Sequence, residues 1–197
     1  GRIHAASTRP GFDRTPFANM ADFEALRIEP YLRFAATRHP ALAARLGALA
    51  DGLAAADVAL VHGDVSPKNI LLRARGPVLL DAECATMGDP AFDPAFCLNH
   101  LILKAIHLPA HRHALLDEAR ALWSAYAPHA TWEGVGHLSA RIAALVPALM
   151  LARVDGKSPV EYLTPAQQAR TRTLAIPLIA APLPGVPALI AHLEGVL

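Results

Sequence analysis

Apolar positions recur at helical spacing from residue 20 onward. Phe23, Leu26, Tyr31 and Phe34 fall on one face of a segment reaching to about residue 37, and Asn19 before Met20-Ala21-Asp22 has the chemistry of an N-cap with an acidic first turn. Pro30 is expected to kink or divide this helix, because proline removes an amide donor and crowds the preceding turn. His39-Pro40 starts a second helix running to about Ala56, with proline in the first turn, where an amide hydrogen has no helical partner to lose.

The texture changes at Asp57. Val58–Val61, Ile70–Leu72 and Pro77–Asp81 are short apolar runs, the last two separated by the polar loop Arg73-Ala74-Arg75-Gly76, which reads as a strand followed by a hairpin. Helical spacing returns after Asp93, predicting helices over about 93–107, 110–126, 132–152 and 165–180, the last opened by a Thr164-Pro165 cap. The Pro- and Ala-rich stretch 176–188 reads as a loop before a terminal helix. The expected fold class is α+β, mainly α-helical, around one small β feature; no repeat or linker divides it, so residues 1–197 are expected to form a single domain.

At 197 residues and 53% hydrophobic, the chain has enough apolar surface for a core. Its formal charge of +1, from 18 basic and 17 acidic residues spread along the chain, forms no block suited to phosphate backbones or anionic lipids. Nucleic acid and membrane are therefore not expected partners. Cys84 and Cys97 do not form a CxxC pair and are expected to be reduced thiols, which points to the cytoplasm. The most apolar segments, 139–152 and 174–191, are interrupted by Arg141, Pro147, Pro177, Pro182, Pro184 and Pro187, so neither a transmembrane helix nor a signal peptide is expected. The chain opens Gly1-Arg2-Ile3-His4 without a methionine and is expected to be a piece of a longer product.

The informative stretch is His62-Gly63-Asp64-Val65-Ser66-Pro67-Lys68-Asn69, between two strand-like runs, with Asp81 at the end of the next one. Phosphoryl transfer needs a carboxylate near the acceptor hydroxyl and oxygen ligands for a magnesium ion bridging the phosphates, since the chemistry is mostly positioning and charge neutralisation. Asp64, Asn69 and Asp81 supply those groups. A turn through Pro67 can bring Asp64 and Asn69 into one cavity, and a hairpin returns Asp81 to the same end. Gly63 admits backbone angles that other residues resist. The competing reading, a surface turn that happens to hold Asp and Asn, does not account for the strand context on both sides or the third carboxylate.

At these residues the chain resembles the C-terminal lobe of the aminoglycoside phosphotransferase family, small-molecule kinases related to the protein kinases. HGDVSPKN is similar to that family's catalytic loop, LLDAE to its metal-binding strand end, and GDPAFDPA to the segment that follows, while Arg2-Ile3-His4 is similar to its first helix after the interlobe crossover. The resemblance implies a protein-kinase-like C-lobe that uses ATP and Mg2+ to phosphorylate a hydroxyl of a small molecule. Asp64 would be the catalytic base, and Asn69 and Asp81 the Mg2+ ligands, with Ser66 and Lys68 beside the nucleotide phosphates. His62 would brace the loop, Asp93 would hold it by hydrogen bonds from beneath, and Glu83 would stand behind Asp81.

The chain also departs from the wider kinase pattern. Ser66 replaces the protein-kinase lysine two residues after the catalytic aspartate, and Ala82 replaces the glycine after the metal-binding one. No Gly-rich loop and no strand lysine with a helix glutamate precedes residue 58. A nucleotide-binding N-terminal lobe is therefore expected in a longer product or a partner chain. The alternative is a non-catalytic binding or regulatory module, or an orphan lobe.

Other candidates carry less. His107, His111 and His113 cluster without a completing Cys or carboxylate and read as solvated histidines. Nothing near Cys84 in sequence favours a reactive thiol, and Trp123, Tyr126 and Trp132 read first as core packing. The polar stretch 153–162 reads as a loop, with Asp155 or Lys157 as possible acceptor contacts. From residue 94 onward Asp117, Glu118, Glu133, Asp155, Glu161 and Glu194 face six arginines and two lysines. That balance suits a neutral or anionic hydroxylated acceptor better than a cationic antibiotic.

Overall fold

Helix-forming sequence dominates, and the structure, a computed structural model describing every residue except Arg75, is mainly helical with two small antiparallel sheets. Arg75 lies in the loop expected between the second and third strands, and that part of the reading falls outside the described residues. After α1 (Arg2–Ser7), the first long helical stretch changes pitch twice. It is α-helical over α2 (Met20–Phe23), π-helical over Glu24–Arg33 and α-helical again over α3 (Phe34–Arg38). Pro30 sits inside the wider π turn and does not divide the helix, because its missing N–H is absorbed where the hydrogen-bond ladder is already displaced. The Pro30 carbonyl accepts from Lys157 N at 2.9 Å, joining this stretch to the end of a later helix. Gly156 permits that contact: a Cβ there would lie 2.3 Å from the Ala152 carbonyl oxygen and 2.8 Å from that of Pro30.

Asn19 stands at the N-cap position without capping through its side chain. Its amide nitrogen donates instead to the Glu83 carbonyl at 3.1 Å, a tertiary contact that wins over the local one. The second helix begins with the 3-10 turn Pro40–Leu42 and continues as α4 (Ala43–Ala55).

The β structure is smaller than the apolar runs suggested, the expected hairpin is present, and the first strand has a partner the sequence did not announce. β1 (Ala59–Val61) pairs with β4 (Thr86–Gly88), whereas β2 (Ile70–Leu71) and β3 (Val78–Leu79) form the separate hairpin. β4 was not foreseen, because Thr-Met-Gly has no alternating pattern and is strand only through its partner.

The rest of the chain is α5 (Phe92–His107), α6 (Arg112–Tyr126), α7 (Val135–Asp155), α8 (Pro165–Ala180) and α9 (Val186–Val196). Thr164 opens α8 with a capping box: its hydroxyl accepts from Gln167 N, and the Gln167 side chain accepts from Thr164 N. α7 is apolar nearly all round and packs against α5, α8 and the π stretch, as a core helix must. Neither Arg141 nor Pro147 interrupts it. By length and composition it could span a bilayer, but 67% of its apolar window is buried within the protein. Pro147 survives because packing on all sides outweighs a helix cost of about 3 kcal/mol. The core is one continuous cluster running from Phe23 and Leu32 through Phe92, Phe96 and Leu103 to Leu149 and Leu189.

Candidate active site

β1 ends at Val61 and the chain turns sharply into the loop that carries Asp64. The loop is pinned from below by Asp93 in the first turn of α5: His62 N donates to its Oδ2 at 2.8 Å and Gly63 N to its Oδ1 at 2.9 Å. His4 Nε2 on α1 lies 3.0 Å from the same Oδ2. Burial pushes the Asp93 carboxyl up, but the His4 contact and the two backbone donors outweigh it, and the net shift is downward. The other His4 nitrogen meets the Tyr126 hydroxyl at 2.8 Å, and that hydroxyl donates to the Pro90 carbonyl at 3.0 Å. Trp132 packs edge-on against His4, and Trp123 stacks on Tyr126, so these aromatics hold the support of the loop.

Gly63 meets a strict demand. Its φ is +82°, and a Cβ there would lie 2.6 Å from Cys84 Sγ and 3.3 Å from the Phe23 ring. Burial pushes the Cys84 thiol up, and Cys97 up to about 11, which disfavours the thiolate at both.

Asp64 is 6% exposed. Its Oδ2 lies 3.2 Å from Arg27 Nη2 and 3.7 Å from the exposed Lys68 ammonium. Arg27 comes from the π stretch and also donates through Nε to the Gly63 carbonyl, so one guanidinium clamps both the loop backbone and its carboxylate. The Asn69 side-chain nitrogen donates to the Asp64 carbonyl at 3.1 Å, closing the turn from the far side. His62 braces the same turn: its Nδ1 accepts from Asp64 N at 3.2 Å. Ser66 is wholly buried, and its hydroxyl has no partner among the described residues.

Asp81 is reached through the hairpin. Leu80 N donates to the Asn69 carbonyl at 2.9 Å, which sets Asp81 one residue from the end of the Asn69 turn. Asp81 is exposed and has φ +67°, the one positive value at a non-glycine residue among those described. That conformation costs of order 1 kcal/mol, and such strain tends to persist where a function requires it. Glu83 is exposed; its carbonyl holds Asn19, and its carboxylate forms no ion pair among the described residues.

The amide nitrogen of Asn69 is committed to Asp64, which leaves its oxygen as an acceptor, and Asp81 forms no ion pair among the described residues. Two such oxygens suit Mg2+, which takes one or two protein ligands together with phosphate oxygens. Among the described residues no three His, Cys, Asp or Glu side chains converge as a metal site, so a cation here would rely on oxygens brought by a phosphate.

The structure thus brings Asp64, Asn69, His62, Lys68 and Asp93 together and sets Asp81 alongside. It does not bring Asp155 or Lys157 to them. Asp155 is buried in an ion-pair cluster with Arg172 at 2.8 Å and His39 at 2.9 Å, and Lys157 pairs with Glu29 at 2.7 Å, so both tie helices together. His107 packs on Tyr162 and lies 3.3 Å from Gln167 Oε1. Arg27 is the site residue that sequence reasoning missed, since nothing local marks an arginine on a helix as the partner of a loop 36 residues away. A cavity of about 530 Å3 borders the loop at His62 and Val65 and is walled by Phe17, Leu79, Cys97 and Tyr126; Asp64, Asn69 and Asp81 do not line it.

The family model described as "Phosphotransferase enzyme family" matches residues 1–129, which takes in the whole loop, the hairpin, Asp93 and the His4 support. No curated protein matches the chain.

Proposed function

The chain belongs to the phosphotransferase enzyme family, and from that premise we propose that it is the acceptor-side lobe of a small-molecule kinase, passing the γ-phosphoryl of ATP to a hydroxyl. The observation that carries this reading is a buried, clamped Asp64 on a loop whose other end presents Asn69 beside the strand leading to Asp81. Asp64 would accept a hydrogen bond from the acceptor hydroxyl, orient its oxygen toward phosphorus and take its proton. Arg27 would keep that carboxylate on one rotamer. Asn69 and Asp81 would hold Mg2+, whose charge offsets the negative charge of the phosphates. Lys68, exposed at the mouth, would reach phosphate oxygens. This reading includes a kinase-like C-lobe working with a nucleotide-binding lobe, carried upstream or on a partner chain. Leu71, Leu72, Val78 and Leu80 on the β2–β3 hairpin are exposed apolar side chains beside the site, which supports a covering element there.

The test is calorimetric titration of MgATP into this chain and into a form extended by its upstream coding sequence. Binding by the extended form, with Asp64→Ala abolishing transfer but keeping MgATP affinity and Asp81→Ala weakening that affinity, is the expected pattern. Wild-type turnover in both variants would refute it.

A further inference from the structure

A second group of polar side chains lies within electrostatic reach of Asp64. Arg153, in the last turn of α7, donates to the Tyr31 hydroxyl at 3.1 Å and to Ser158 Oγ at 2.9 Å, and its guanidinium sits 5.6 Å above the Tyr31 ring. Tyr31 belongs to the same π stretch as Arg27, one turn further along, and packs on Phe96, which in turn meets His100 edge-on. One turn beyond His100 on α5, Lys104 stands 5.0 Å over the Tyr162 ring. One π stretch thus reaches Asp64 through Arg27 and Arg153 through Tyr31, and Tyr31 leads through Phe96 to His100 on α5.

Lys104 and Arg153 are both half-buried, and neither forms an ion pair with a carboxylate among the described residues, whereas the half-buried Arg27, Arg141 and Arg172 all do; what sets the two apart from Arg112, which also forms none, is that both act on His100 together with Asp64. Among the described residues Arg153 Nε and the Tyr162 hydroxyl are buried without protein partners, as are both amide atoms of the fully buried Asn99, next to His100 in sequence. Glu161, next to Tyr162 in sequence, is exposed and forms no ion pair among the described residues. Half-buried cations without counter-ions, next to donors without acceptors, are costly unless something anionic completes them. The charges around His100 lead the same way. Burial lowers its imidazole to about 4, helped by Arg153, opposed by Asp64 and helped again by Lys104 and Lys68, so three cations and one carboxylate act on one buried ring.

We propose that the acceptor is a small hydroxylated anion, bearing a carboxylate or a phosphate, whose anionic end is held by Arg153 and Lys104 while its hydroxyl is presented to Asp64. This rests on the phosphotransfer reading of Asp64 and adds the charge of what it phosphorylates. Cationic acceptors would meet Lys104 and Arg153 head-on.

The test uses four probes on one three-carbon frame or close to it: D-glycerate, sn-glycerol 3-phosphate, glycerol and choline, each titrated calorimetrically into the full chain without nucleotide. One or both anions are expected to bind, with glycerol and choline silent, and whichever anion binds identifies the carboxylate or the phosphate source. Lys104→Gln and Arg153→Gln should each weaken that binding roughly 10- to 100-fold. Arg153 also braces Tyr31 and Ser158, so a loss of fold in its variant is checked by circular dichroism. Lys104→Gln then decides, because its ammonium makes no hydrogen bond to the protein among the described residues. Choline or glycerol binding as tightly as the anions, no anion binding at tens of millimolar, or a folded Lys104→Gln chain with unchanged affinity would overturn the proposal. ADP release by the extended form is measured separately. Turnover of a cationic acceptor would defeat the anion assignment and leave phosphotransfer standing, whereas anion binding without any ADP release would do the reverse.

Discussion

Replacing Asp93 tests the frame on which the site depends. Its two oxygens receive the His62 and Gly63 amides at 2.8 and 2.9 Å and face His4 Nε2 at 3.0 Å. Asp93→Ala would leave two buried backbone donors and one histidine nitrogen without an acceptor. Each such group costs about 1–3 kcal/mol, and partial access of water to the space left behind lowers the sum to roughly 3–5 kcal/mol, in line with other broken buried pairs. Against a total stability of about 5–15 kcal/mol, that is a large fraction. Asp93→Asn keeps the volume and one acceptor oxygen and should cost roughly 2 kcal/mol. Urea unfolding followed by far-ultraviolet circular dichroism and by tryptophan fluorescence measures both, with Trp132 at 6.0 Å from His4 as a local reporter. The stabilisation from the lowered Asp93 carboxyl is fully present above its ordinary value of 3.8 and is lost as pH falls through the lower folded value, so the comparison belongs near neutral pH. A loss below about 1 kcal/mol for Asp93→Ala would refute the view that this carboxylate carries the loop.

Three further predictions use the same protein. Gly63→Ala, with φ at +82° and Sγ of Cys84 at 2.6 Å from the new methyl, should destabilise by about 2–4 kcal/mol; adding Cys84→Ala should recover the steric part but not the roughly 1 kcal/mol of backbone strain, and no recovery would show that the contact is not the cause. His100 has a folded value of about 4 against 6.5, so the unfolded chain binds the extra proton and stability falls as pH drops from 6.5 toward 4, by up to ~3 kcal/mol. His100→Gln should flatten that part of a stability–pH curve, and an unchanged slope would count against it. Asp155→Asn, by weakening the contacts to Arg172 and His39, should cost about 2–3 kcal/mol in urea unfolding and leave acceptor binding by the folded protein unchanged.

The helices were legible because their information is local. Thr164-Pro165 with Gln167 specifies a helix start within four residues, and the apolar face of 20–37 marks a helix whatever its pitch. What that face could not reveal was the π register over Glu24–Arg33: Phe23 and Tyr31 are buried as the pattern requires, but Leu26 of the same expected face is exposed and Ile28 and Leu32 are buried in its place. Proline was read too literally. Pro30, Pro147 and Pro177 all lie inside helices, at positions where burial of the surrounding faces outweighs the local penalty. The β2–β3 hairpin was legible, but β4 was missed for a related reason: it is three residues long and is a strand only because β1 lies beside it.

The same contrast divides the two ends of the site. The phosphate end is compact in sequence because one turn must hold a carboxylate and an amide five residues apart, and a short hairpin must return a second carboxylate to it. Such a turn writes its glycine, proline and asparagine into the chain where they can be read. The proposed acceptor end draws on Arg27 and Tyr31 on the π stretch, His100 and Lys104 on α5, Arg153 on α7 and Tyr162 beyond it, each an ordinary residue in its own segment. The count of acidic and basic residues after 94 already leaned away from a cationic acceptor. It could not separate the charges that neutralise one another, such as Arg141 with Glu133 and Asp89 or Arg172 with Asp155, from those that form no ion pair among the described residues, Lys104 and Arg153 among them. Only the pairing in three dimensions removes the cancelled charges, and it leaves Arg153 and Lys104 as cations that act, together with Asp64, on the buried His100.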